Sequence, residues 1–262
     1  MSHYQHWLIV EDSHIATLTL NRPQANNSLA PETLSELRLI AADLRVRDEV
    51  WAVIVEGSGD HFSAGVDTSV IQGIPDQPEA AFRDQLRAMQ LALDEFEAIP
   101  KPTIAKLKGF CLGGGLLLAL CCDFRIASQR TIFALPEVKL GIAVIMGTQR
   151  ISRVVGVAAA KELILLANRF NAQTAQALGL VHKVVPPDQL DAAVASLADK
   201  FRRLPPRTIG MAKRILNEGY DLSLRDSEDL EIDAQAQLLH SQDLREAIAS
   251  YLEKREPRFT GR

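Results

Sequence analysis

Three consecutive glycines, Gly113-Gly114-Gly115, run directly into the apolar stretch Leu116-Leu117-Leu118-Ala119-Leu120-Cys121-Cys122. A strand-length run, Thr103 to Leu107, leads into this region, and a second, Phe124-Arg125-Ile126-Ala127, leaves it. Strand, glycine turn, helix and strand make a crossover unit, which joins parallel strands of one sheet. The glycines let another group approach the backbone closely and permit unusual φ values. The first N–H groups of the helix that follows have no intrahelical partner and carry the positive end of its dipole. An anion or a developing oxyanion is therefore welcome at that spot.

The rest of the chain reads as α/β around this unit. Residues from about 6 to 20 form two strands turned at Asp12-Ser13; in the second, Ala16, Leu18 and Leu20 alternate with Thr17 and Thr19. After Asn21-Arg22-Pro23, a loop leads to a helix with Pro31 and Glu32 in its first turn. Leu34, Leu37, Ile40, Ala41 and Leu44 make its buried stripe. Trp51 to Val55 is a continuous apolar strand, suited to cover on both faces. His61 to Asp67 is too broken for a regular element, and residues 79 to 98 form a long helix ended by Pro100 and Pro102. Helices are expected at 157–167 and 172–178, and a strand at Val181–Val185. From Arg207 to Glu256 the pattern is almost wholly helical. This divides the chain into a core over 1–204 and a helical assembly region over 205–262.

Of the 262 residues, 29 are basic and 33 acidic, a net charge of −4, so no basic footprint marks a nucleic-acid or membrane-surface partner. The longest apolar run is too short and glycine-rich to span a bilayer. Met1 to His6 lack the basic and apolar regions of a signal peptide, so the expected location is the cytoplasm. Cys111, Cys121 and Cys122 read as small buried hydrophobes. None of the six histidines has zinc-ligand spacing, and His3 and His6, at i and i+3, fall in a terminus; no metal is expected.

Two glycine-bearing turns, Ala64-Gly65-Val66-Asp67 and Gly113-Gly114-Gly115, can each offer a backbone N–H to one oxygen, which is the geometry of an oxyanion hole. Spacing alone favours plain steric relief in two tight turns over that reading. Glu137 follows Pro136 and lies among Phe133, Leu135, Val138, Ile142, Val144, Ile145 and Met146. A carboxylate here is either a solvated loop residue or, in apolar surroundings that raise its pKa, a proton shuttle for neutral pH.

In order along the chain come Leu20-Asn21-Arg22-Pro23, Phe62 to Asp67, Gly109 to Asp123 with Phe124 to Ala127, Pro136 to Gly141, Gly147 to Arg150, Ala177 to Val181 and Glu253-Lys254-Arg255. Through these segments the sequence resembles the crotonase, or enoyl-CoA hydratase/isomerase, superfamily over nearly its whole length. The resemblance implies a spiral of ββα units with a C-terminal helical trimerisation region, assembled as a homotrimer or a dimer of trimers. It implies an acyl-CoA thioester substrate and no separate cofactor, coenzyme A being part of the substrate. The oxyanion donors would be the N–H groups of Val66 and Gly114. Gln24, Ala25, Ala64 and Asp67 would shape the coenzyme A groove, and Gly113, Leu117, Val144 and Ile145 the acyl site.

Within that resemblance, hydratases carry one glutamate two residues after the glycine triplet and a second twenty residues later. The second is present as Glu137; the first position is Leu117. A lone carboxylate facing an apolar wall fits a proton taken from one carbon and returned to another, the isomerisation of a 3-enoyl-CoA to a 2-enoyl-CoA. Hydration, thioester hydrolysis, decarboxylation and non-catalytic acyl-CoA binding are the alternatives on the same scaffold. The stretch Ile142-Ala143-Val144-Ile145-Met146-Gly147 is bulkier and one residue shorter than the family's glycine-rich form, and Asn26 stands where leucine is common.

Overall fold

The computed structural model describes residues 4–262. In chain order its strands and helices begin with β1 (Trp7–Asp12), β2 (Ile15–Leu20), α1 (Pro31–Val46), β3 (Ala52–Gly57), α2 (Thr68–Gly73) and α3 (Glu79–Glu97). β4 (Thr103–Leu107), β5 (Phe110–Leu112), α4 (Gly114–Leu120), β6 (Phe124–Ser128), β7 (Ile132–Ala134) and α5 (Thr148–Leu165) follow. β8 (Phe170–Asn171), α6 (Ala172–Ala177), β9 (Lys183–Val185), α7 (Leu190–Phe201), α8 (Pro206–Gly219), α9 (Leu224–Leu238) and α10 (Gln242–Glu253) complete the chain.

Six strands form one sheet in the order β1-β2-β3-β4-β6-β9. Only β1 and β2 are antiparallel; from β2 to β9 the pairs are parallel. β4 and β6 are parallel neighbours, as the glycine crossover requires. A smaller sheet, β5-β7-β8, stands apart and carries the segment into the glycines on one strand and the approach to Glu137 on another.

The expected apolar stripe of α1 is its buried face: Leu34, Leu37, Ile40, Ala41 and Leu44. α4 differs, because all seven of its residues are buried. A helix apolar all round belongs at the centre of a layered fold, and α4 sits within the main core with Phe62, Phe133 and Leu135. Phe62 to Asp67 runs against it without forming a named strand, held by single bridges of Ser63 to Cys111 and of Leu29 to Val66. A Cβ on Gly115 would stand 2.6 Å from that of Ser63, so this contact needs glycine.

Three expectations change. The helix expected at 157–167 begins at Thr148; Gly156, at φ 78° and ψ 158°, breaks its regularity and hides the first part from a periodicity reading. α7, which the sequence pattern does not mark, lies between Pro186-Pro187 and Pro205-Pro206; its Leu190, Val194, Ala198 and Phe201 are buried and pack in a second core against Ile15, Ala52 and Ile104. The last strand starts at Lys183, since Leu180 and Val181 are packed before it as buried coil. Of the pair His3 and His6, His3 lies outside the described residues. Among those described, no group of side chains is arranged to hold a metal and no helix is long and apolar enough to cross a membrane. The three cysteines are free and buried.

Candidate active site

The N–H groups of residues 63 to 67 show how the first glycine turn is built. Ser63 N–H donates to the Phe110 carbonyl (2.9 Å), Ala64 N–H to Asn26 (2.9 Å) and Asp67 N–H to Leu29 (3.0 Å). Gly65 N–H donates to Ser63 Oγ (3.2 Å). Val66 N–H alone has no acceptor among the described residues. On the second turn, Gly113 N–H donates to the Ala134 carbonyl (2.9 Å), while Gly114 N–H, at the start of α4, has none. The two free donors are neighbours. Val66 N lies 3.4 Å from where a Cβ on Gly114 would stand, and Gly114 N lies 3.5 Å from where one on Gly65 would stand. Two unspent N–H groups from separate turns, one at a helix start, can hold one anionic oxygen.

Glu137 stands against this pair. It opens a 3-10 turn, Glu137–Leu140, behind Pro136, and its Oε1 lies 2.7 Å from where a Cβ on Gly113 would stand. Gly113 takes φ 47° and ψ −126°, a conformation open to glycine almost alone, so its backbone and its missing side chain both admit the carboxylate. Glu137 Oε2 is buried and has no hydrogen-bond partner among the described residues. Burial pushes the Glu137 carboxyl above its ordinary value, its own backbone N–H pulling back more weakly. An orphaned carboxylate oxygen in a native fold calls for an explanation, and proton transfer supplies one.

The carboxylate opens into a cavity of about 120 Å³. Its walls come from Ala64 to Val66, from Val70, Ile71 and Ile74 at α2, from Phe82, Leu86 and Met89 on α3, from Leu117 on α4, and from Ile142, Ile145 and Met146. Gln85 is the one uncharged polar side chain among them, and Glu137 the one ionisable group. Leu117, one turn beyond Gly113, packs its Cδ2 onto Gly147 so closely that a Cβ there would collide with it.

Ala64, Val66, Gly113, Leu117, Glu137 and Ile145 therefore meet at one cavity, with Gly114 beside it. Val144 does not line it: its side chain is buried in the core, and its carbonyl accepts from Thr148 Oγ1. Gln24 and Ala25 form an outward 3-10 turn, Pro23–Ala25, away from the cavity wall. Asp67 caps α2 through Ser69 N–H (3.0 Å) and accepts from Arg22 (2.9 Å) and Ser28 (2.8 Å). These bonds, Ser69 foremost, hold its carboxyl well below the usual carboxylate range. Asp67 is thus tied into the loop that presents Val66. Gln85, which the sequence reading passed over, carries no signal beyond its place on the face shared by Phe82, Leu86 and Met89.

The family model described as enoyl-CoA hydratase/isomerase matches residues 11–262. The chain belongs to this family. It is 36% identical over 258 residues to a crotonyl-CoA hydratase of Syntrophomonas wolfei, covering 98% of each chain. It is 33% identical over 259 residues to a peroxisomal Delta(3,5)-Delta(2,4)-dienoyl-CoA isomerase of Arabidopsis thaliana, covering 95% of this chain and 93% of that one. A crystal structure of enoyl-CoA hydratase from Bacillus anthracis superposes with a TM-score of 0.92 at 32% identity, over 98% of this chain and 100% of that chain. The crotonase fold and an enzyme of the hydratase/isomerase type follow from these matches; which of the two reactions this family member runs is a matter for its own cavity.

Proposed function

We propose that the enzyme isomerises a 3-enoyl-CoA to the conjugated 2-enoyl-CoA, with Glu137 as the only acid–base group. The observation that carries this is the cavity wall: Glu137 is its one ionisable side chain, and Leu117 packs onto Gly147 where a second carboxylate is expected for hydration. The thioester oxygen lies between the N–H groups of Val66 and Gly114. Glu137 takes a proton from C2, and the C–H electron pair moves through C1 onto the thioester oxygen, giving a dienolate. The charge on that oxygen is what the two donors stabilise; each such donor is worth about 3–4 kcal/mol in comparable sites. Glu137, now a neutral acid, returns the proton to C4 as the electrons come back and the double bond settles between C2 and C3. Gln24, Ala25 and Asp67 would shape the groove for the coenzyme A portion, which enters as substrate and not as a cofactor.

Hydration of a 2-enoyl-CoA is the second reading, favoured by the activities in the names of most relatives, the Syntrophomonas wolfei protein among them. It requires a water held and deprotonated at the cavity wall, and Leu117 offers no hydrogen bond there. Leu117→Glu tests the difference. The variant is expected to gain hydration by at least about tenfold and to lose stability by roughly 1–3 kcal/mol from burying the new carboxyl. A folded Leu117→Glu protein with no more hydration than wild type would remove Leu117 as the determinant.

The family resemblance further supports a homotrimer or a dimer of trimers. Leu216, Tyr220, Leu224, Ile232, Tyr251 and Leu252 are exposed large apolar side chains on or beside α8, α9 and α10, and such an assembly would cover them. Light scattering is expected to return three or six chains per particle; a monomer at micromolar concentration would overturn this assembly.

A further inference from the structure

Gln85 sits on α3 where three hollows meet. With Val70 it lines the apolar cavity, and with Val70 again it lines a separate groove of about 420 Å³ whose walls include Arg22, Glu32, Ser69 and Gln77. It also borders a third hollow beside Pro31 and Met89. Gln85 and Val70 border both the apolar cavity and the polar groove and so form the partition between them. Leu117 and Met146 back the cavity onto the buried cluster, Met89 divides it from the third hollow, and Leu140 and Ala143 form its exposed rim.

We propose that Gln85 sets the length of acyl chain this enzyme accepts, by closing the cavity toward the groove beside α2; the proposal rests on the reading of the cavity as the acyl site. Each methylene that enters a hydrocarbon-walled space gains about fourfold in affinity, the equivalent of ~0.8 kcal/mol. A tail that reaches Gln85 meets a carboxamide, and beyond it a polar groove. Burying further methylenes against an amide that keeps its own hydration gains little. Affinity then rises with chain length up to a break and stops rising. The substrates selected are plain hydrocarbon chains short enough to end at Gln85. Longer chains gain nothing.

Gln85→Ala removes the side chain beyond Cβ and suits a helix interior, so the variant keeps α3. Gln85→Leu restores the bulk without the amide. The probes are saturated straight-chain acyl-CoAs from butanoyl to dodecanoyl, whose binding by calorimetry needs no turnover and so does not depend on which reaction Glu137 runs. Wild type and Gln85→Leu are expected to break at the same length. Gln85→Ala is expected to continue gaining about fourfold per methylene for at least two more carbons. A wild type that binds no member of the series overturns the acyl-site reading and this proposal with it. A wild type that binds but gains steadily to dodecanoyl, a Gln85→Ala that breaks where wild type does, or a Gln85→Leu that behaves as Gln85→Ala overturns the role of Gln85 alone.

Discussion

Glu137→Gln is expected to lower kcat for 3-enoyl-CoA isomerisation by about 10²–10⁴-fold while leaving the dissociation constant of a saturated acyl-CoA within about threefold of wild type. Glutamine keeps the shape of the side chain and removes only its capacity to carry a proton. No other cavity-lining residue can take over, because none is ionisable. The wild-type acid limb of kcat/KM should lie above the ordinary carboxylate range, since burial raises the Glu137 pKa and the base must be ionised to act. Stability should move the other way. The buried carboxylate favours the folded state most when protonated, below its ordinary value of 4.5, and this contribution is lost as pH rises through the raised folded value. Glu137→Gln should therefore melt higher than wild type at neutral pH, with the difference closing below pH 4.5. A variant with kcat within tenfold of wild type would remove Glu137 from the mechanism.

Gly113→Ala is the second large effect, and it acts through the same carboxylate. At φ 47° and ψ −126° an alanine is strained by about 1–3 kcal/mol. Its Cβ would also stand 2.7 Å from Glu137 Oε1, closer than a carbon and an oxygen can rest. The flexible end of Glu137 gives way first, so the variant is expected to fold with a lowered melting temperature and to lose about 10²-fold in kcat from the displaced base. Binding of saturated acyl-CoA should persist. Wild-type kcat in a folded Gly113→Ala protein would mean that the productive position of Glu137 is not the one held over Gly113.

Local pattern made much of the fold legible. The stripe of α1, the long α3 and the strands around the glycine crossover follow from apolar periods of 3.6 and 2 and from proline stops. α7 and the first half of α5 were not, because the prolines around one and Gly156 within the other resemble breaks until packing shows what they join. The site divides in the same way. That Val66 and Gly114 carry the free donors depends on where Ser63, Ala64, Gly65 and Asp67 spend theirs, a matter of partners as distant as Phe110. Val144 and Ile145 are adjacent, yet one is core and the other cavity wall, because no regular period governs that loop. The contact between Leu117 and Gly147 joins positions thirty residues apart, and only the folded chain brings them together.

A single carboxylate at an oxyanion site with an apolar opposite wall is the centre of this account. The most direct test measures one preparation on two substrates: conversion of a 3-enoyl-CoA to its 2-enoyl isomer, and hydration of that 2-enoyl-CoA, each as kcat/KM at neutral pH. The expected result is isomerisation exceeding hydration by at least about 10²-fold, the scale set by one missing acid–base group. Hydration equal to or faster than isomerisation would contradict it.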